Sequence, residues 1–345
     1  MSDKKFISSY IASTGSCAPE KVITNSYFES YLETSDQWIT ERTGIKERRW
    51  VEDNVGVSVL AEKASRQAIE RAGLDVSDID GIIFGTITSD HKMPTAACTL
   101  QEKLGIKGCF AFDISAACAG FVYSLVLADS YIASGRARNI LIVGADILSS
   151  VVDMHDRNTC VLFGDAAGAA VVRACDKDLG QAGNFRLADF KQDSGIYSCE
   201  MYADGGAGEI LMIAYGTACR INQETVARGE HFVKMDGKNV FKFAVKSLTE
   251  VAHSVCARAG IKVSDIDFLV THQANMRILQ AVGEQLGLPS SKIPSNIARY
   301  GNTSAATVPL LLDEEVMAGR IQKGDLVLLT SVGGGMVWGG ALVRM

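Results

Sequence analysis

Apolar and polar positions along the chain fall into two alternating kinds of segment. Short β-branched runs, GIIFGTIT, CFAFDIS, NILIVGAD and AAVVR in the first half and FLVTH and LVLLTSVG in the second, read as strands buried on both faces. Between them, SVLAEKASRQAIERAG and VFKFAVKSLTEVAHSVCARAG carry helical spacing. The alternation predicts a layered α/β fold with mainly parallel strands, and no low-complexity linker interrupts it.

The chain also repeats itself. Ala72-Gly73-Leu74 followed by Val76-Ser77-Asp78-Ile79-Asp80 recurs as Ala259-Gly260-Ile261 followed by Val263-Ser264-Asp265-Ile266-Asp267, an offset of 187 (259 − 72). A helical pattern precedes and an apolar run follows both copies, which reads as a duplicated unit, although repeats are sometimes purely architectural. At 345 residues the chain exceeds what one hydrophobic core usually serves, so two halves, 1–175 and 176–345, are expected. Further along, Gly135-Arg136 pairs with Gly319-Arg320 at an offset of 184 (319 − 135). Applied to Cys118 that offset gives Asn302, which makes the two residues equivalent points of the repeat; 187 added to Gly85 gives His272. Strand carboxyl ends form the ligand crevice of open α/β sheets, so Cys118, His272 and Asn302 are expected to converge.

Composition narrows the function. Hydrophobic residues make 47% and charged residues 21% of the chain, too apolar for disorder, and a net charge of -6 provides no broad basic field for nucleic acid or anionic lipid. An anionic ligand must therefore meet locally placed Arg or Lys. No apolar stretch of membrane-spanning length occurs, and the N-terminus lacks a secretory pattern. Nine scattered cysteines without a C-x-x-C pair read as reduced thiols in a cytoplasmic protein, most of them small buried hydrophobes. His91, His155, His231 and His253 show no metal-ligand spacing. The Gly164–Gly168 segment GDAAG lacks the ending of a phosphate loop and reads as close packing, and DVSDIDG and KVSDIDF read as solvated loop and helix starts.

Only Cys118 has a context beyond packing. The strand-like Ala111–Ile114 runs through Ser115-Ala116-Ala117 into Cys118, and a helical pattern follows. A thiol at a helix N-terminus meets orphan N–H groups and the positive end of the dipole, which lower its pKa. His272 stands where an apolar strand turns polar, a place for site residues and equally for a hydrogen-bonded structural His; Asn302 precedes a helix, where Asn is commonly an N-cap. A Cys–His–Asn set serves either a protease-like nucleophile, with Asn orienting His, or a site where His and Asn both donate to a carbonyl oxygen.

Six ordered motifs decide more: TSDQWITERTGIKER (34–48), DISAACAGF (113–121), DRNTCVLFGDAAGA (156–169), THQANMRI (271–278), RYGNTSAATVPL (299–310) and SVGGGMVWGGALV (331–343). Over nearly its whole length the chain resembles β-ketoacyl-acyl-carrier-protein synthase III, a thiolase-fold condensing enzyme. The resemblance implies an αβαβα architecture of five layers from two βαβ-type halves, and a cytoplasmic homodimer. It implies a ping-pong acyltransferase of fatty-acid biosynthesis: Cys118 takes the acyl group of an acyl-CoA, and a malonyl thioester on acyl carrier protein then loses CO2 and condenses with it. His272 and Asn302 hold the malonyl thioester oxygen, and the backbone N–H groups of Cys118 and Gly334 form the oxyanion hole. No metal or redox cofactor is implied. Trp38 and Arg157 would sandwich the adenine of CoA, with Thr34 and Arg42 nearby, although Trp38 and Arg42 at i and i+4 are also simple packing partners. Gly237 and Phe241 line the pantetheine and acyl channel, Lys242 and Arg277 face the carrier protein, and Arg277 also meets CoA.

Four departures qualify the resemblance. Met93 stands where many members carry a Phe that reaches across the dimer, and Val332 and Met336 replace two further Phe residues around the Gly run. Flexible or smaller side chains change the acyl pocket, so a primer other than acetyl is expected, with a related condensing enzyme of specialised metabolism as the alternative. Glu284-Gln285 replaces basic residues on the helix after His272, weakening the complement to an acidic carrier. A non-catalytic partner subunit is the third reading, and retention of Cys118 argues against it.

Overall fold

The computed structural model describes residues 7–178, 194–216 and 218–345. Two sheets form the frame. A five-stranded sheet takes the order Ile7–Cys17, Asp165–Asp178, Asn139–Ile147, Gly81–Gly85, Phe110–Ile114, and a four-stranded sheet the order Phe268–Thr271, Leu326–Gly333, Val337–Arg344, Gly195–Ala203. Strands are parallel only where a helix connects them, Gly81–Gly85 with both Phe110–Ile114 and Asn139–Ile147, and Phe268–Thr271 with Leu326–Gly333. The remaining pairings in both sheets are antiparallel, so the expected mainly parallel sheet is in fact mixed. The strands Ile7–Cys17, Gly195–Ala203 and Val337–Arg344 escaped the hydrophobic pattern because Ser, Gly and Tyr break up their apolar runs.

Helices Val57–Arg71 and Ala96–Leu104 cover the outer face of the first sheet, and Gly237–Arg258 and Met276–Leu286 that of the second. Between the sheets lie Gly120–Ala133 and Thr307–Met317, each packed against strands of both. This is the five-layered thiolase arrangement. One continuous core, including Ile83, Phe121, Leu125, Val270, Leu311 and Leu329, runs through the central layer, which explains why Gly120–Ala133 is apolar all round. The expected division at 175/176 falls inside the strand Asp165–Asp178, which still pairs with Ile7 at its last residue.

The duplication is real, but its register differs from the one inferred for Asn302. Strands beginning at Gly81 and Phe268 (268 − 81), strands beginning at Asn139 and Leu326 (326 − 139), the 3-10 turns Ala117–Ala119 and Ser304–Ala306, and the central helices beginning at Gly120 and Thr307 all keep the offset of 187. Gly135 and Gly319 are 184 apart because the second central helix has 11 residues and the first 14. Cys118 is therefore equivalent to Ala305, and Asn302 to Ser115. The first residue of each 3-10 turn confirms the register: Ala117 and Ser304 are both left-handed, with φ of 43 and 51.

The two short motifs of the repeat are 3-10 turns, Val76–Asp78 and Val263–Asp265, that cap themselves with exposed Asp side chains, as the sequence suggested. The GDAAG segment serves packing as expected, since a Cβ at Gly164 would lie 2.3 Å from the Tyr300 carbonyl oxygen.

Candidate active site

Cys118, His272 and Asn302 line one cavity of about 1410 Å³, contributed by both halves. Each is buried, at 8%, 2% and 6% exposure. The Cys118 turn and its symmetry mate Ser304–Ala306 pack on each other at the strand ends. The strand residues facing them differ between halves, and that difference makes the site. Ser331 donates its hydroxyl to the Cys118 carbonyl at 2.7 Å; its equivalent, Gly144, leaves room for the Ala305 carbonyl. Two residues on, the Asp146 carboxylate accepts the Ala305 N–H at 3.3 Å, whereas its equivalent, Gly333, presents no side chain to the Cys118 N–H. Among the described residues neither the Cys118 nor the Gly334 N–H has a backbone acceptor, so both are available to a bound oxygen.

Asn302 is held rigidly. Its N–H donates to Leu162 O at 2.8 Å and its carbonyl accepts from Gly164 N at 3.0 Å. The side-chain oxygen accepts the Ser304 N–H at 2.9 Å, which turns the amide NH2 toward the cavity. The N-cap reading of Asn302 does not hold, since Thr303 is the N-cap of the 3-10 turn and makes no side-chain capping bond; Asn302 instead closes a turn onto Ser304 N, and that bond aims its donors. Beneath this isolated bridge of Phe163 with Asn302 sits Arg48, fully buried, donating to Val161 O at 2.6 Å, Ile23 O at 3.0 Å and Asn25 Oδ1 at 2.9 Å. Burial lowers its pKa to about 10. Trp50 Nε1 adds a bond to Phe163 O at 3.1 Å. Arg48 and Trp50 were not singled out from the sequence, although the 34–48 motif contains the first.

Electrostatics correct one expectation. Burial pushes the Cys118 thiol up to about 12, opposed by a hydrogen bond from the neighbouring Ser304 hydroxyl. The helix N-terminus does not prevail because desolvation of a thiolate in the buried turn outweighs the dipole. His272 is pushed down to about 3 by burial and stays neutral, with Nδ1 2.6 Å from Thr307 Oγ1.

The cavity mouth is basic. Arg42, Lys238, Lys242 and Arg277 line it, all exposed, and Arg277 stands 5.9 Å from the Phe241 ring. Lys238 was absent from the sequence expectations. Gly237, Phe241 and Val332 also line the cavity, as expected, and Met336 joins them. Trp38 carries Arg42 at 4.8 Å and Arg157 at 5.1 Å from its ring centre, so the aromatic and both guanidiniums do meet. They form a closed stack, however, since a base between two faces needs about 7 Å, twice a contact distance. Arg157 is held there by the Glu33 carbonyl, and the buried Thr34 hydroxyl beside it lacks a partner. Met93 is 87% exposed and does not line this chain's cavity. Among the described residues no group of three or more His, Cys, Asp or Glu is placed to hold a metal, and no helix is long and apolar enough to cross a membrane.

A thiol at a strand-to-helix turn, faced by a neutral His and a fixed Asn from a duplicated half, defines a condensing enzyme of the thiolase fold. Residues 112–189 match the family described as 3-oxoacyl-[acyl-carrier-protein] synthase III, and 256–345 its C-terminal part. The chain is 45% identical over 340 residues to the β-ketoacyl-[acyl-carrier-protein] synthase III of Xanthomonas campestris, covering 99% of both chains. The crystal structure of 3-oxoacyl-[acyl-carrier-protein] synthase III from Aquifex aeolicus VF5 superposes with a TM-score of 0.87 at 41% identity, covering 98% of this chain and 100% of that one. A priming β-ketosynthase of the R1128 polyketide pathway superposes with a TM-score of 0.89 at 31% identity, covering 100% and 98%. The chain belongs to the β-ketoacyl-acyl-carrier-protein synthase III family and is an acyl-transferring condensing enzyme. The specialised-metabolism alternative is not favoured, since full-length relatives at 42–45% identity carry the synthase III name.

Proposed function

We propose that this chain condenses an acyl-CoA with malonyl-acyl-carrier protein to start fatty-acid synthesis, through an acyl group on Cys118. The observation that carries the assignment of roles is the meeting of Cys118, His272 and Asn302 in one cavity. In the first half-reaction the Cys118 sulfur attacks the acyl carbonyl, its proton leaves with CoA, and the C–S bond to CoA breaks. In the second, the malonyl C–C bond to the carboxylate breaks and CO2 departs. Its electron pair develops as an enolate whose oxygen is held by His272 and the Asn302 amide. The enolate carbon then attacks the acyl carbonyl, whose oxygen is held by the N–H groups of Cys118 and Gly334, and the tetrahedral intermediate expels the Cys118 thiolate. The electron pair comes from decarboxylation, so the scheme calls for no metal or redox cofactor.

The basic mouth, Arg42, Lys238, Lys242 and Arg277, suits the phosphates of CoA and an acidic carrier protein. Adenine would stack on Trp38 after Arg157 or Arg42 swings aside, near Thr34. The sheet edge at Phe110–Ile114 and the exposed Ile87 and Met93 support a homodimer in which Met93 reaches the partner's acyl pocket. Val332 and Met336 in the cavity wall support a primer larger than acetyl. Nine free cysteines support a cytoplasmic location. Incubating the protein with a panel of acyl-CoAs and weighing it intact tests the reading. An acyl mass on the wild type and none on Cys118→Ala is expected; acylation of Cys118→Ala would overturn it.

A further inference from the structure

We infer that Thr307 is a positioning residue that sets the tautomer of His272, making that side chain a hydrogen-bond donor toward the cavity. The inference deepens the role proposed for His272 and rests on it. Thr307 is buried at the first residue of the helix Thr307–Met317. Its Oγ1 lies 2.6 Å from His272 Nδ1 and 3.0 Å from the Ser304 carbonyl oxygen. A hydroxyl has one proton, so it serves one of these two acceptors.

The surroundings and the role of His272 decide which. Ser304 O already accepts the Thr307 backbone N–H. His272 Nδ1 has no other hydrogen-bond partner among the described residues. A buried acceptor left with no donor costs more than a carbonyl left with one donor instead of two. The relay in which Nδ1–H donates to Oγ1 and Oγ1–H to the Ser304 carbonyl satisfies the same atoms but leaves Nε2 a bare lone pair in the cavity, so the donor role proposed for His272 selects the arrangement with the Thr307 proton on Nδ1, the shorter of the two contacts.

A neutral imidazole that accepts at Nδ1 carries its proton on Nε2. With Nδ1 turned to Thr307, the rest of the ring lines the cavity beside Cys118 and Asn302. The ring stays neutral on burial, so no second proton blurs the assignment. His272 and the Asn302 amide then offer two N–H donors to one developing oxygen anion. With the opposite tautomer, Nε2 would present a lone pair to that oxygen and repel it. Asn302 is aimed by Ser304 N and His272 by Thr307 Oγ1, so one turn, 304–307, orients both donors.

The test uses the full protein with 15N in its histidine rings, the His272 signals being those lost in His272→Gln. The wild type is expected to show protonated Nε2 and bare Nδ1. Thr307→Val keeps the side-chain shape and removes the hydroxyl. It is expected to populate the Nδ1–H form and to lose on the order of 10²-fold in malonyl-CoA decarboxylation and in condensation. Acylation of Cys118 by acyl-CoA should stay within about a factor of three of wild type, and Thr307→Ser should restore both decarboxylation and the spectrum. A wild-type ring protonated on Nδ1 overturns the inference, as does undiminished decarboxylation in Thr307→Val or an equal loss in both half-reactions. The tautomer is read without turnover, so its failure is separable from failure of the condensing assignment.

Discussion

Gly333→Ala probes the opening at the Cys118 N–H. A Cβ built on Gly333 lies 2.7 Å from Cys118 N, 3.0 Å from Ala116 O and 3.1 Å from Ala119 N. All three are backbone atoms, so no flexible side-chain end can yield. Overpacking of this kind costs about 1–3 kcal/mol of stability. The larger effect is on rate, because the methyl group occupies the space where a substrate oxygen would meet the N–H; loss of one oxyanion donor costs about 10²–10³-fold. The pseudo-equivalent Asp146 shows what a side chain does at this position, since its carboxylate takes the Ala305 N–H for itself. Rapid mixing with acyl-CoA followed by intact-protein mass measurement gives the acylation rate, and thermal unfolding gives the stability. Ser331→Ala serves as the control, losing one hydrogen bond to the same turn, about 1 kcal/mol, while keeping the N–H open. A folded Gly333→Ala protein that acylates and condenses within about threefold of wild type would refute the reasoning, since an effect of about 10² was required.

Three further outcomes are expected. Trp50→Phe removes the bond to Phe163 O, and Arg48→Met removes the clamp on Val161 O; both should loosen the seat of Asn302 and depress decarboxylation more than acylation, with about 1 kcal/mol of stability lost for the first and more for the second, as separate assays of the half-reactions and denaturant titration will show. Folded His272 takes up its proton near pH 3 and an unfolded His near 6.5, so the unfolded state binds more protons between these values and stability falls as pH drops through that window. Between pH 7.5 and 4.5 this contributes a loss of about 2.5 kcal/mol, which His272→Asn should abolish in denaturant titrations at the two pH values. Lys242→Glu with Arg277→Glu should raise KM for malonyl-carrier protein and flatten its salt dependence while leaving Cys118 acylation by a short acyl-pantetheine unchanged, because rim charges act mainly on association.

The α/β class, the duplication and the candidate nucleophile were all legible in the sequence. Strands buried on both faces must be apolar along their length, and the central helix Gly120–Ala133 is predominantly apolar, so those elements announce themselves locally, whereas Asp313-Glu314-Glu315 disguise the second central helix. Cys118 was legible because a strand, small residues and a helix follow one another directly. What local pattern misled was the register of the repeat: a second central helix three residues shorter shifts Gly319 without shifting the turn before it. The mixed strand directions were hidden as well, because hydrogen-bond polarity leaves no mark on side-chain choice in a doubly covered sheet.

The sequence by itself determined the main apolar segments of the core, that the chain holds two copies of one unit, and that Cys118, His272 and Asn302 are the candidate chemical groups. Tertiary structure alone decided how they are held. Packing the two strand-end turns face to face sets Asp146 against Ala305 and leaves Gly333 open before Cys118. It seats Asn302 on a bridge to the segment that Arg48 braces at Val161 O, and places Thr307 at Nδ1 of His272. These are contacts across 35 to 213 positions of chain, as His272 with Thr307 and Cys118 with Ser331 show. Burial strength, hydrogen-bond direction and protonation arise only when such distant groups share one dry space, and no window of neighbouring residues contains that information.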